Sequence, residues 1–214
     1  AEAKDNVKFL TTLERHFKSL TQYKLANNGR GTLQVVIDTI APMINALRMV
    51  WIISRHYGDD ARMGGLMERI ATELGDVVAA EIDARDPASG IFALPIDEAI
   101  EKVSLGQKLL EEWKARYMAM REKIELSGRD ARWEFDRKKL FDRTDYQAGI
   151  CADLRNMLAT VDSFHKFLGP QLKAVTGEPE EIDAVIARVT AMTLAVQGVD
   201  FDVFDKRSFA AWSI

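Results

Sequence analysis

Residues 96–126 read IDEAIEKVSLGQKLLEEWKARYMAMREKIEL, and this stretch decides the fold. Large apolar side chains stand at Ile96, Ile100, Val103, Leu110, Trp113, Tyr117, Met120 and Ile124. Their steps of three, four or seven residues place them on one face of an α-helix. Only Gly106 lacks a large side chain in that row. Ser127-Gly128 closes it, since glycine tolerates the left-handed backbone of a helix C-cap. A helix of about thirty residues is long for a compact enzyme and ordinary in a bundle. The row is wider than the seam of a two-stranded coiled coil, so it predicts one face of an antiparallel bundle.

Outward from this segment the same period recurs. Val7, Leu10, Leu13, Phe17 and Leu20 predict a first helix, capped near Asp5 or Asn6. NNGRG at 27–31 is a turn. Helical spacing resumes through Val36, Ile40, Ile44, Leu47 and Trp51, where Pro42 predicts a kink or a fresh start. YGDD at 57–60 is a second break, before a helix carrying Met63, Leu66, Ile70, Leu74 and Val77 as far as about Ala84. DPASGIFALP at 86–95 reads as a linker. It would divide a helical lobe at 1–85 from a second lobe at 96–214. In that second lobe Tyr146, Ile150, Leu154, Leu158, Val161 and Leu168 form a further stripe, ending at Gly169-Pro170. A last helix is expected from Glu178–Glu181, through Ile182, Val185, Val189 and Met192, to Gly198. The tail FDVFDKRSFAAW reads as irregular. No alternating strand pattern appears, and the fold class is all-α, built from long amphipathic helices.

Composition excludes several functions. The net charge of −4, with acids and bases well mixed, argues against a general nucleic-acid binder. Cys151 is the only cysteine, which rules out an internal disulfide and a thiolate zinc site within one chain, and fits a reducing compartment such as the cytoplasm. Leu33–Ile53 is the most apolar region. Asp38, Pro42, Asn45 and Arg48 interrupt it and argue against a membrane span. AEAKDNVKFL has no apolar core after a basic start, which argues against a secretory signal. With no initiator Met, the chain reads as processed, or as a piece of a longer one.

No catalytic constellation emerges. There is no phosphate-binding GxxxxGK[ST], and neither NNGRG nor MGGL follows a strand as a dinucleotide loop would. His16, His56 and His165 belong to no HExxH pair. The residues three before them are Leu13, Ile53 and Asp162, so the Glu-x-x-His of di-iron bundles is missing too. Carboxylate pairs such as Glu111-Glu112 read as solvated helix faces. Cys151 reads as a packing residue. No cofactor, metal or catalytic residue is expected.

One stretch does stand out. GRDARWEFDRKKLFDRTDY, residues 128–146, sets Arg129, Arg132, Arg137, Lys138, Lys139 and Arg143 against Asp130, Glu134, Asp136, Asp142 and Asp145. Acids at this density would repel a phosphate backbone. Interleaved charges instead pair with one another or with a complementary protein surface, while Trp133 and Phe135 can anchor the segment in a bundle. The expected partner-contact residues are Arg129, Arg132, Trp133, Phe135, Arg137, Lys138 and Lys139, with exposed parts of 86–95.

These motifs carry a resemblance. NVKFLTTLERHFKSL, APMINALRMVWIISRHYGDDARMGGLMERIA, EKIELSGRDARWEFDRKKLFDRTDY and FLGPQLKAVTG, in that order from about Asp5 to the C-terminus, resemble the N-terminal tail of dynein heavy chains. The wording is most similar to axonemal, outer-arm-type chains. The resemblance implies an elongated stack of antiparallel helical bundles with no catalytic residues. It also implies a piece of a longer chain whose ATPase sites lie elsewhere, placed in the axoneme of a cilium or flagellum. Implied partners are WD-repeat intermediate chains, other heavy chains and neighbouring tail bundles of the same chain. Nucleic acid and membrane are not among them. The alternatives are a purely structural helical spacer, an unrelated helical-bundle interaction protein, an enzyme with an unfamiliar bundle site, and a nucleic-acid binder.

Overall fold

The computed structural model describes residues 2–25, 32–84, 90–128 and 133–175, and isolated helical positions between 183 and 191. Among these the chain is all-α. The helices are α1 (Glu2–Leu25), α2 (Thr32–Ile53), α3 (Asp60–Ile82), α4 (Ile96–Leu126) and α5 (Arg137–Val175), with a short 3-10 turn at Ile91–Ala93.

Helix ends follow the local chemistry. Between α2 and α3 the Ser54 hydroxyl accepts the amides of His56 and Tyr57, at 3.2 and 3.1 Å. Asp59 then caps α3, its carboxylate accepting the Ala61 N–H at 2.8 Å and the Arg62 N–H at 3.2 Å. α3 stops where Asp83 takes a φ of 38°, a region that Asp tolerates better than most residues. α4 opens on the Pro95 carbonyl, which accepts the Ala99 N–H, and carries Asp97 and Glu98 in its positive first turn. It closes at Gly128, whose φ of 63° is the left-handed cap that the Ser-Gly pair predicts.

The stripe of α4 is core from Val103 onward. Val103, Leu110, Trp113, Tyr117, Met120 and Ile124 are buried, and Ile96 and Ile100 are half-buried. Other expectations shift. α2 runs unbroken through Pro42, which lies on an exposed face. In α1 the covered row is Asn6, Phe9, Leu13 and His16, and Val7 and Leu10 are exposed. α1 packs on α2 one residue round from the row the apolar side chains suggest. α5 does not stop at Gly169-Pro170 but continues to Val175. Pro170, which lacks a backbone N–H, removes one helical donor, yet the helix runs on past it. NNGRG, the residues Ile182, Val185, Val189, Met192 and Gly198, and the tail from 201 lie outside the described residues.

By length and composition α2 could cross a membrane. Its Val36, Ile40, Met43, Ile44, Leu47 and Val50 are all buried inside the protein, as in the core helix of a bundle.

The chain divides into two compact units, Ala1–Val78 with Leu105–Gly149, and Ala79–Ser104 with Ile150–Ile214. The unit boundaries fall within α3, α4 and α5, each of which contributes one end to each unit. The second unit buries Ile82, Val103, Ile150 and Leu154, and a Glu81–Lys102 ion pair at 3.0 Å lies at its surface. Its Gly90 and Ile91 are buried, so the last part of 86–95 is folded chain; 86–89 lie outside the described residues.

Candidate functional site

Residues 133–136 form a non-helical strap in the first unit, leading into α5. Trp133 and Phe135 turn inward and are 2% and 6% exposed. Trp133 meets Trp51 of α2 edge-on at 5.7 Å between ring centroids, and Phe135 meets Trp51 at 6.1 Å. Tyr117 of α4 lies against Trp133, Phe135 and Phe141. Gly64 of α3 faces Phe135, whose ring would sit 3.7 Å from an added Cβ. Edge-to-face rings of this kind contribute beyond their buried area.

Polar groups lock the strap. The Phe135 N–H donates to the Tyr117 hydroxyl at 3.1 Å, inside the core. Glu134 points outward, accepts a hydrogen bond from Arg121 of α4, and pairs with Arg137 at 2.9 Å. The Arg121 hydrogen bond is the main reason that the Glu134 carboxyl titrates below its ordinary value of 4.5. That sign sets a pH response. The pair's contribution is present above 4.5 and is lost as pH falls through the lowered value. Acidification should therefore loosen the strap, seen as a fall in amide protection factors at 133–135 after correction for the intrinsic pH dependence of exchange, and Glu134→Gln should remove that pH step.

Asp136 caps α5. Its carboxylate accepts the amides of Lys138 and Lys139 at 3.1 and 3.4 Å, and its carbonyl accepts the Leu140 N–H. Further along, Arg143 pairs with Asp76 at 2.6 Å and Asp145 with Lys114 at 2.6 Å. Gln147, fully buried, donates weakly to the Gly75 carbonyl at 3.5 Å, where α3 and α5 pass closely.

The sequence-predicted partner residues therefore separate. Trp133 and Phe135 are buried in the core of the first unit. Arg137 is half-exposed and tied to Glu134. Lys138 and Lys139 are exposed and make no ion pair among the described residues. Arg129 and Arg132 lie outside the described residues. Sequence reading missed Trp51, Gly64 and Arg121 as partners of the strap, because nothing local marks contacts so distant in the chain. No cluster of three potential metal-ligating side chains occurs among the described residues. His16 is buried, and burial first, then Arg15, holds its pKa below the ordinary value.

Such a site is a joint with a charged outer surface, and comparison with known proteins gives it a context. The chain matches the family described as dynein heavy chain, N-terminal region 1, over residues 1–213. It belongs to the dynein heavy chain N-terminal region family. It is 53% identical, over 99% of its length, to the dynein-1-alpha heavy chain of the flagellar inner arm I1 complex of Chlamydomonas reinhardtii. To human dynein axonemal heavy chain 10 the identity is 46%, again over 99% of the chain. The flagellar outer-arm dynein beta chain of Chlamydomonas reinhardtii is 24% identical over 95%. The resemblance to dynein tails is thus confirmed, and its outer-arm flavour is corrected: an inner-arm chain is far more similar than this outer-arm one. The chain spans about 4% of the length of each of these heavy chains.

Proposed function

We propose that this chain is a non-catalytic tail segment of a ciliary or flagellar dynein heavy chain, serving as a scaffold for heavy-chain association and intermediate-chain docking. The observation that carries the reading is the strap. A dynein heavy chain N-terminal region needs a firm helical joint if it is to hold other subunits, and the strap seats two aromatic rings while turning Lys138 and Lys139 outward. In this reading the ATP-driven motor sites lie in other parts of the heavy chain, this segment takes no cofactor, and the complex works in the axoneme.

The test is a full-length heavy chain carrying Lys138→Glu and Lys139→Glu, expressed in ciliated cells with a tagged intermediate chain. Recovery of the heavy chain with the tag should fall several-fold. Unchanged recovery would favour the second reading, a structural spacer without subunit contacts. One observation supports that second reading: Glu134, Arg137, Arg143 and Asp145 are all paired within the chain.

A further inference from the structure

The outer face of α2 is one continuous row on a single helix. Val35, Asp38, Pro42, Asn45, Met49 and Ile52 are all exposed, and they follow one another in alternating steps of three and four residues. That spacing keeps them on one line along the helix, where a second helix can lie against them. At 1.5 Å per residue the row is about 26 Å long. Val35 is 56% exposed, Met49 54% and Ile52 48%, and Ile53 stands at the edge of the same arc. The opposite face, through Val36, Ile40, Met43, Leu47 and Val50, is buried. α2 is therefore largely apolar on both sides and covered on one.

Two polar groups say more about what covers the outer face. Asp38 is the one ionised side chain in the row, and its carboxylate accepts a hydrogen bond from Gln34 at 2.8 Å. Arg48 flanks the row on the Ile52 side. Its Nε is buried and has no acceptor among the described residues. A buried donor left unmet is costly, and so is a carboxylate that becomes buried without a cation. Whatever lies along this row must bring a cation opposite Asp38 and an acceptor beside Arg48.

We infer that the outer face of α2 is a seam within the heavy chain, covered by an amphipathic helix of the same polypeptide from outside residues 1–214. The inference rests on this chain being a segment of a dynein heavy chain, and not on the docking of other subunits. The chain spans about 4% of the length of its heavy-chain relatives, so most of such a polypeptide lies beyond it. Permanent interfaces resemble a core cut in half, whereas extended apolar surface is rare on a face that must also stand free in water. A row with a single carboxylate belongs to the first kind. A tethered segment also has an effective concentration that a separate subunit lacks. Its contact face is apolar at the same steps of three and four, with one Lys or Arg set to meet Asp38.

The experiment uses axonemes containing the full heavy chain, with the photoreactive amino acid benzoylphenylalanine in place of Met49. After irradiation the expected product migrates as one heavy chain. Peptide mass mapping should join position 49 to an amphipathic heavy-chain helix outside 1–214 that carries a Lys or Arg among its apolar residues. A product with the mass of two heavy chains makes the occupant a second chain and overturns the seam. A product with another subunit also overturns it, while supporting the docking reading. A joined helix with no cation overturns the role given to Asp38. Should the altered chain fail to assemble, Met49 of the native protein provides the second measurement. Brief peroxide treatment of intact axonemes should oxidise it several-fold less than in the denatured heavy chain. Equal oxidation in both states would mean that the face stands open to water and that no seam exists.

Discussion

Trp133→Ala should lower the unfolding free energy by about 3–5 kcal/mol, the usual cost of emptying a large aromatic site. Trp133 is almost wholly buried and touches rings from α2, α4 and the strap itself. Its removal leaves Trp51, Tyr117 and Phe135 facing a void that three separate elements would have to close together. Urea titration followed by far-ultraviolet circular dichroism reads the loss directly. Trp133→Phe provides the contrast. The indole N–H has no acceptor among the described residues, so replacing it by a smaller ring sacrifices packing and no hydrogen bond. Its cost should be much smaller. Should Trp133→Ala cost no more than a surface change, within about 0.5 kcal/mol, the strap would not be seated as described.

How much of this was legible in the sequence depends on the range of each interaction. Helices were legible because their signal is local: the stripe from Val103 to Ile124 and the Ser-Gly cap after Leu126 behave as their spacing predicts. Where propensity and packing disagree, packing decides. α1 uses Asn6 and His16 in place of Val7 and Leu10, because a neighbouring helix covers that side. The compact units have no local signature, since α3, α4 and α5 each continue past a unit boundary as one helix. In the candidate site the charge alternation at 128–146 was visible. Which of its charges are consumed internally was not. The Arg121–Glu134 pair spans a turn, and the Arg143–Asp76 pair joins helices 67 positions apart in the chain. The exposed Ile52 and Ile53 were hidden for the opposite reason: in sequence they simply extend an apolar run.

Tyr117→Phe isolates a single polar contact within the same cluster. The ring stays, so the packing against Trp133, Phe135 and Phe141 is kept. Only the oxygen that accepts the Phe135 N–H is lost, and that amide is then buried without a partner. Leaving a buried donor unsatisfied costs about 1–3 kcal/mol. The loss should be local as well as global: amide exchange at Phe135 should accelerate in the variant more than exchange in the middle of α4. Alkaline pH provides an independent check. Burial, the largest influence, raises the Tyr117 pKa above its ordinary value of 10.0. The folded state therefore resists losing that proton, and its stability, full below 10.0, declines as pH rises through the raised value. Tyr117→Phe should abolish that share of the decline. A variant that keeps the wild-type exchange rate at Phe135 would mean that the strap is held by its rings alone, and that the hydroxyl contributes nothing to the joint.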